Sequence, residues 1–187
     1  MKYPVYRFFR PIIKFFMYLL FHIKIVNKKN LPKAPYILVG NHKHLFDAFM
    51  VMSSTKETVR FLAKKELIDG HFGFLFKRLA IIPVDRSRHN PEAMKEAKNV
   101  LLNKGIVGIF PEGTFNKTEY VVRPFKMGAV KIASDTHVKI VPFAITGNYS
   151  LFKRTKMVIG KPYEIKSNDL KGENITLMNK VIDLMKK

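Results

Sequence analysis

The sequence predicts one α/β domain in which helices cover a central sheet that is largely parallel or mixed. Short apolar runs alternate along the chain with segments of helical periodicity, and strands that alternate with helices favour a parallel sheet. The runs are continuously apolar, as in residues 106–110, which is typical of strands buried on both faces. A length of 187 residues is enough for one domain with a substantial core.

The chain begins with an apolar segment that is interrupted by charge. Arg7, Arg10 and Lys14 are three and four residues apart, so on a helix they form one basic stripe, and mostly apolar residues cover the rest. The longest run without lysine or arginine, residues 15–23, has nine residues, well short of the ~20 needed to span a bilayer. We therefore expect residues 1–30 to be a membrane-associating segment with an amphipathic helix in the membrane interface.

Two other interpretations of this segment stay open. A secretory signal peptide also has a basic start and an apolar middle, but it needs a small-residue cleavage site, which residues 21–26 lack. A helix buried in the core is the second alternative. In the interfacial interpretation the apolar side faces lipid and the basic residues face the headgroups, where each contributes about 1 kcal/mol near an anionic surface.

After a proline-marked turn at residues 32–35, strand and helix patterns alternate to the end of the chain, so the main domain is expected to cover residues 31–187. Pro91 is placed to begin a helix whose apolar residues recur at helical spacing. The predicted strands are residues 36–40, 58–62, 80–84, 106–110, 138–145 and one or two extended pieces within 157–165. The predicted helices are residues 44–54, 91–103, 124–134 and 173–186.

The charge of the chain indicates an anionic partner. Lysine and arginine number 34 against 14 aspartates and glutamates, which gives a net charge of +20. Such a surplus suits nucleic acid, anionic lipid headgroups or phosphorylated substrates, although a merely solvated basic surface is an alternative. Phenylalanine (16 copies) far outnumbers tyrosine (7), which fits core and lipid contact as well as base stacking. The absence of cysteine excludes disulfides, thiolate nucleophiles and cysteine-ligated metals, and leaves the redox compartment undetermined.

Polar residues follow several of the predicted strands directly. They lie in residues 41–47, 85–86 and 112–114. Ligands of parallel α/β sheets bind beyond the carboxyl ends of the strands. The sequence therefore predicts one composite site to which all three clusters contribute.

His42 and Asp47 are the candidate catalytic pair. An imidazole that is oriented by a carboxylate is the basic unit of general-base catalysis. Five residues apart on one helix, the two side chains would point about 140° away from each other. They meet only if His42 precedes the helix and Asp47 lies in its first turn, which leaves the other ring nitrogen free as the base.

Two alternatives for this pair stay open. One is a surface histidine beside an aspartate that caps a helix. The other is a metal site that begins with His42-x-His44 and Asp47, which would need a further ligand from elsewhere in the chain. His71, His89 and His137 are the remote candidates, and nothing in the sequence places them near His42. No metal is expected.

Arg86 and Lys126 are candidate anion-binding residues. A guanidinium at the end of a strand can grip a phosphate bidentately, although an Asp85–Arg86 surface pair is the simpler alternative. Lys126 lies at the start of the helix predicted for residues 124–134, where free backbone N–H groups favour an anion.

The turn formed by residues 110–114 supplies three more candidates for substrate binding. Gly113 allows a ligand to approach the backbone closely. Glu112 can accept a hydrogen bond from a polyol hydroxyl, and Thr114 can donate one to a phosphate. An ordinary Pro-x-Gly turn is the alternative interpretation.

Taken together, these motifs resemble the glycerolipid acyltransferases, and most of all the 1-acyl-glycerol-3-phosphate acyltransferases. Four ordered blocks carry the resemblance, and it extends from about residue 36 to residue 147. The blocks are residues 41–47 (NHKHLFD), 82–86 (IPVDR), 110–114 (FPEGT) and 141–145 (VPFAI).

The resemblance implies a reaction. An acyl chain would pass from coenzyme A or acyl carrier protein to the sn-2 hydroxyl of lysophosphatidate, with His42 taking the hydroxyl proton and Asp47 holding the imidazole. It implies no cofactor, no acyl-enzyme and no nucleic-acid partner. The implied partners are membrane lipids, the acceptor and the thioester donor, and the implied location is the cytoplasmic face of the cell membrane. Phenylalanines 72, 74 and 76 are expected to add a second interfacial patch or to pack in the core.

One departure from the family affects the phosphate contact. The family often has a basic or small polar residue directly after the Glu-Gly-Thr turn, whereas this chain has Phe115 and Asn116. Arg86, Arg123 or Lys126 would have to replace it. The rival functions are acylation of glycerol-3-phosphate or another lysophospholipid, a metal-dependent hydrolase, and a non-catalytic basic module that binds membrane or nucleic acid.

Overall fold

The computed structural model of the chain describes residues 3–70, 73–85 and 90–187. These residues form seven helices, α1 to α7, and seven strands, β1 to β7, with a short 3-10 turn at Lys28–Asn30. The helices are α1 Pro4–Phe21, α2 Phe46–Ser54, α3 Glu66–Asp69, α4 Gly73–Arg78, α5 Pro91–Leu102, α6 Gly128–Thr136 and α7 Leu170–Met185. The strands are β1 Lys24–Val26, β2 Tyr36–Gly40, β3 Val59–Lys64, β4 Ile81–Val84, β5 Ile106–Ile109, β6 Ile140–Thr146 and β7 Lys156–Ile159.

The strands form one mixed sheet in the order β1-β7-β6-β2-β5-β3-β4. Neighbours from β6 to β4 run parallel, β7 runs antiparallel to β6, and β1 runs parallel to β7. Every residue of β2 and β5 is buried, as expected for the central strands of a sheet covered on both faces. The predicted α/β domain with a largely parallel or mixed sheet is confirmed.

Helix α6 begins later than the sequence predicted. Its first residue is Gly128, whereas the prediction began at residue 124. The Lys126 N–H donates to the Pro111 carbonyl at 2.9 Å, so the preceding residues are held against the loop after β5 and make no helical turn. Lys126 therefore lies just before the helix, within reach of the same loop.

The sheet includes residues inside the expected N-terminal segment. Strand β1 pairs with β7, and Asn30 donates from its side chain to the Ile159 carbonyl at 3.0 Å. Within the range 1–30, residues 24–26 therefore belong to the sheet of the main domain, whereas α1 lies outside the sheet. A three-residue edge strand has too little pattern to be recognised in a sequence.

One face of helix α1 packs against the rest of the domain, and the opposite face is exposed. Tyr6, Met17 and Phe21 are buried against the body. The opposite face is apolar and exposed to solvent, and it consists of Phe8, Phe9, Ile12, Phe15, Phe16 and Leu19. The helix is thus present and amphipathic, and its place in a membrane stays a prediction. No helix in the described part of the chain is both long and apolar enough to cross a membrane.

The basic stripe of α1 does not all point away from the protein as expected. Arg7 is exposed, but the Arg10 guanidinium donates to the Thr55 carbonyl at 2.6 Å. Thr55 is the C-cap of α2, where carbonyls lack helical partners and the helix dipole favours a cation. This contact fixes α1 to the helix that carries Asp47.

A second exposed apolar surface lies beside the end of α1. Leu151 and Phe152 are 61% and 74% exposed, and the Phe152 N–H donates to the Leu20 carbonyl at 3.0 Å. Of the phenylalanine patch expected elsewhere, Phe74 is 63% exposed. Phe72 lies outside the described residues, and so does the side chain of Phe76.

Candidate active site

The residues that follow β2 are fixed by their contacts with β6. Gly40 has no room for a side chain, because an added Cβ would lie 2.4 Å from the Phe143 ring and 2.5 Å from the Phe143 carbonyl oxygen. The Asn41 side chain donates to the Ile145 carbonyl at 2.9 Å and accepts from the Ile145 N–H at 2.7 Å. The backbone that leads into His42 is therefore anchored to β6 at two successive residues.

His42 and Asp47 are brought together as the bend at the start of α2 allows. Asp47 lies in the first turn of α2 with 0% exposure, and its Oδ2 is 3.0 Å from His42 Nδ1. The same oxygen accepts from the Lys43 and His44 N–H groups at 2.6 and 2.8 Å. An ionised carboxylate only accepts, so for the neutral imidazole this network selects the tautomer with its proton on Nδ1 and its lone pair on Nε2.

Aromatic rings hold the plane of the imidazole. The His42 ring stacks on Phe110 at a centroid distance of 4.0 Å and meets Phe115 edge-on at 4.5 Å. Its side chain is 13% exposed. Within the described residues no group bonds to Nε2, so this nitrogen is available to a ligand.

Both carboxylate oxygens of Glu112 have hydrogen-bond partners within the protein. Its Oε1 accepts from the His42 N–H and its Oε2 from the Arg123 N–H, both at 2.7 Å, and the residue is only 4% exposed. The carboxylate therefore joins the loop after β2 to residue 123, and its contact with a substrate hydroxyl stays a prediction. Burial raises the pKa of Glu112, and the two N–H donors oppose that rise less strongly.

A cleft of about 630 Å³ opens beside His42. Its wall is mainly apolar and comes from β3, β4, β5, α5 and the start of α6, with Leu62, Met94 and Ile109 among its residues. Its basic residues are Lys95, Lys98, Lys126 and Lys131. The cleft thus combines an apolar interior with cations around a candidate base.

Gly113 and Lys126 lie together in this cleft. Gly113 has a φ of 72°, and a Cβ at that position would lie 2.9 Å from Lys126 Cε and 3.1 Å from its Nζ. The ammonium group therefore lies over the backbone of the turn, in the same cleft as His42. The positive φ explains why glycine occupies this position.

The structure describes only some of the remaining residues that the sequence predicted for the site. Thr114 is exposed and adjacent to Gly113. Arg86 lies outside the described residues, and so do His71 and His89 from the metal alternative. Among the residues that are described, no group of three histidine, aspartate or glutamate side chains is placed to hold a metal ion.

Sequence reasoning missed two residues that support the pair. Asn41 fixes the approach to His42, and Tyr149 donates from its hydroxyl to Asp47 Oδ1 at 2.8 Å. Burial, and then the negative charge of Asp47, raise the pKa of Tyr149 far above its ordinary value, so the hydroxyl stays protonated. Tyr149 follows β6 just as His42 follows β2, so a polar residue beyond a neighbouring strand was the available signal.

Comparison with known proteins identifies the family. The model of a family described as Acyltransferase matches residues 22–146, which include the His42–Asp47 pair and the loop after β5. The chain belongs to the acyltransferase family. The resemblance indicated by the four sequence blocks is therefore confirmed.

Relatives of this acyltransferase share much of its length. A 1-acyl-sn-glycerol-3-phosphate acyltransferase of Bacillus subtilis is 32% identical over 166 residues, which cover 84% of this chain and 82% of that protein. A yeast enzyme of the same description, from Saccharomyces cerevisiae, is 31% identical over 82% of this chain. The match spans only 54% of the yeast protein, so the chain corresponds to about half of that longer relative.

A solved structure has the same fold. The crystal structure of the 1-acyl-sn-glycerophosphate (LPA) acyltransferase PlsC from Thermotoga maritima superposes with a TM-score of 0.75 at 22% sequence identity. The match covers 96% of this chain and 80% of that one. At 22% identity this likeness shows that the two proteins share a fold.

Proposed function

We propose that this acyltransferase moves a fatty acyl chain from a thioester to the sn-2 hydroxyl of 1-acyl-glycerol-3-phosphate, giving phosphatidic acid. The observation that carries the proposal is an imidazole bound to a carboxylate through Nδ1, in a residue that lines a mainly apolar cleft together with four lysines. The names of the relatives support this choice of acceptor.

In the proposed reaction His42 is the general base. Nε2 takes the proton of the sn-2 hydroxyl as its oxygen attacks the thioester carbonyl carbon, and Asp47 stabilises the imidazolium that forms. The C–S bond then breaks, and the proton passes from His42 to the sulfur that leaves. A thioester is already activated, so the proposed step uses no metal or other cofactor.

The proposed acyl site is the apolar cleft. An acyl chain gains roughly 0.8 kcal/mol for each CH₂ group that it buries, so a mainly apolar wall favours a fatty acyl group over a polar one. The donor carrier is coenzyme A or acyl carrier protein in this proposal, and both are anionic. The net charge of +20 suits either carrier.

The proposed phosphate contact is Lys126. Phe115 stands where the family often has a basic or small polar residue, and it lies edge-on to the His42 ring. Lys126 Nζ lies over Gly113 in the cleft, close to the turn from which that residue would have acted. Backbone N–H groups at the start of α6 add to the positive potential there.

The proposed location is the cytoplasmic face of the cell membrane, as a peripheral protein. Acceptor and product are both membrane lipids. The exposed apolar face of α1, together with Leu151 and Phe152 at its end, is the surface that would enter the lipid.

A panel of acceptors and donors tests the proposed reaction. Purified protein is assayed with lysophosphatidate, glycerol-3-phosphate and lysophosphatidylcholine, each with acyl-coenzyme A and acyl carrier protein thioesters. We expect phosphatidic acid from lysophosphatidate, and a fall in kcat of roughly 10²–10⁴-fold for His42→Ala. His137→Asn is the matched control, because His137 caps α6 with a positive φ of 52° that asparagine tolerates. Normal turnover by the His42 variant would contradict the role of His42. Faster acylation of another acceptor would show that this acceptor, and not lysophosphatidate, is the preferred substrate.

Lys126→Met tests the phosphate contact. Methionine keeps an unbranched stem beside Gly113 and removes the charge. We expect KM for lysophosphatidate to rise about tenfold with kcat little changed, because a charge-assisted contact made in both ground and transition states contributes uniform binding. Lys161→Met, at an exposed position, is the control. An unchanged KM in Lys126→Met would remove Lys126 from the phosphate site.

A further inference from the structure

The Asp47 carboxylate has partners on both of its oxygens. Oδ2 accepts from His42 Nδ1 and from two backbone N–H groups, all within 3.0 Å. Within the described chain, Tyr149 is the one donor to Oδ1, at 2.8 Å. Because Asp47 is fully buried, water does not replace a donor that is lost there.

The Tyr149 ring is held where its hydroxyl reaches Oδ1. It meets Phe21 edge-on at 5.5 Å and Phe46 edge-on at 5.6 Å. Phe21 is the last residue of α1, and Phe46 is the first residue of α2. The ring is therefore packed between the N-terminal helix and the helix that carries Asp47.

The loop that carries Tyr149 is tied to the end of α1. Phe152 and Thr155 donate from their N–H groups to the Leu20 and Phe21 carbonyls at 3.0 and 3.2 Å. These bonds leave the loop little freedom to turn the ring away. The hydroxyl is thus positioned by packing and backbone bonds that do not depend on Asp47.

We propose that Tyr149 is a positioning residue of the acyl transfer, whose hydroxyl fixes the Asp47 carboxylate and through it the His42 imidazole. This inference rests on the proposed function. With Oδ1 bonded, the carboxylate does not rotate about its Cβ–Cγ bond, so Oδ2 stays directed at His42 Nδ1. The imidazole that lines the cleft, and its Nε2, then keep one orientation, which general-base catalysis requires.

Tyr149→Phe removes the hydroxyl and keeps the ring. We expect kcat to fall about tenfold to a hundredfold, the size of effect typical of a lost hydrogen bond to a charged group. KM for lysophosphatidate and for the thioester should stay within about twofold, because Tyr149 contacts the pair and not the cleft.

A spectroscopic readout reports on the pair without substrate. A proton on His42 Nδ1, held against a carboxylate, gives a downfield NMR resonance that is assigned by its loss in His42→Gln. We expect Tyr149→Phe to shift or broaden this resonance. A fall in kcat with an unmoved resonance overturns the proposal, because the hydroxyl would then act other than through Asp47.

Two further variants distinguish the effect of the Tyr149 hydroxyl from the effect of packing around the ring. Tyr163→Phe removes another buried hydroxyl, one that has no hydrogen-bond partner in the described chain, and both readouts should stay at wild-type values. Tyr149→Leu removes ring and hydroxyl. Equal losses in Tyr149→Phe and Tyr149→Leu support the proposal, whereas near-normal kcat in Tyr149→Phe with a loss only in Tyr149→Leu assigns the effect to packing and overturns it.

Different results would contradict the proposed function and the positioning role of Tyr149. Wild-type protein that transfers no acyl group to lysophosphatidate contradicts the proposed function. The NMR comparison still decides whether Tyr149 holds the pair, because it needs neither acceptor nor donor.

Discussion

Opposing effects act on the Glu112 carboxyl. Burial disfavours its charged form, whereas the His42 and Arg123 N–H groups, each 2.7 Å away, favour it. Burial is the stronger of the two and raises the pKa of Glu112 above its ordinary value of 4.5. Glu112 therefore binds its proton more tightly in the folded chain than in the unfolded chain.

The raised pKa of Glu112 gives its stability contribution a definite sign with pH. The contribution is greatest below pH 4.5, where both states hold the proton, and it declines as the pH rises through the folded pKa. Glutamine at position 112 does not titrate, so groups that do not interact with Glu112 contribute equally to wild type and Glu112→Gln. We expect the unfolding free energy of wild type minus that of the variant to fall as the pH rises from 4.5.

Urea unfolding at a series of pH values measures this difference. The glutamine amide offers one oxygen to two N–H groups, so the variant is also expected to lose about 1–3 kcal/mol. Glu119→Gln is the control, because Glu119 is exposed. A difference that grows with pH would show that the two N–H donors outweigh burial.

The contact between His42 and Asp47 was predictable from the sequence, but the other partners of the site residues were not. His42 and Asp47 were identified because a histidine and a carboxylate close together after a strand can form a general-base pair, and a bend before a helix lets them meet. Glu112 was expected to face a substrate, since a carboxylate in a turn after a strand has no local signal for a partner. Its partner at residue 123, like the approach of Tyr149 to Asp47 from 102 residues away, depends on tertiary structure.

At the scale of elements, the close approach of β2 and β6 shapes the site. Gly40 pairs with Phe143 in the parallel register, and Asn41 and His42 continue directly from this pair. Phe143 is 1% exposed, so neither its ring nor its backbone has space to move into. The position needs a residue without a side chain.

Gly40→Ala should therefore destabilise the fold. A Cβ at 2.5 Å from a backbone oxygen forces the two strands to shift, and overpacking of this kind typically costs about 1–3 kcal/mol. Gly128→Ala is the control for stability, because its nearest neighbour would be Met94 Sδ at 3.8 Å. Thermal unfolding of both variants measures the effect, and equal melting temperatures would show that β6 yields without cost.

Elements were predicted well where burial alone determines the pattern. Strand β2 has the predicted bounds, and β5 ends one residue short of them, because central strands are apolar on both faces. The predicted start of α6 was wrong, because the hydrogen bond from the Lys126 N–H to the Pro111 carbonyl holds the residues before Gly128 against the loop after β5. Strand β1 was missed because its paired residues in β7 lie 132 positions further along the sequence.

For the whole molecule, positive charge and exposed apolar surface occur together. The chain carries a net charge of +20, and large apolar side chains cover one face of α1 and the adjacent loop. Contiguous exposed apolar surface on a soluble domain marks an interaction site. Anionic lipid satisfies both features, because headgroups attract the cations and acyl chains accept the apolar residues.

Binding to lipid vesicles should therefore depend on the exposed apolar residues of α1 and the adjacent loop. Phe15→Ser and Phe152→Ser, at positions 61% and 74% exposed, are each expected to lower partitioning into anionic vesicles about tenfold, because a buried phenylalanine contributes roughly 1.5–3 kcal/mol. Ile175→Ser on α7, at a position 57% exposed, is the matched control and should bind as wild type does. Binding measured by vesicle sedimentation should also weaken with added salt and with neutral lipid. Equal partitioning of all four proteins would show that α1 and its adjacent loop do not face the membrane.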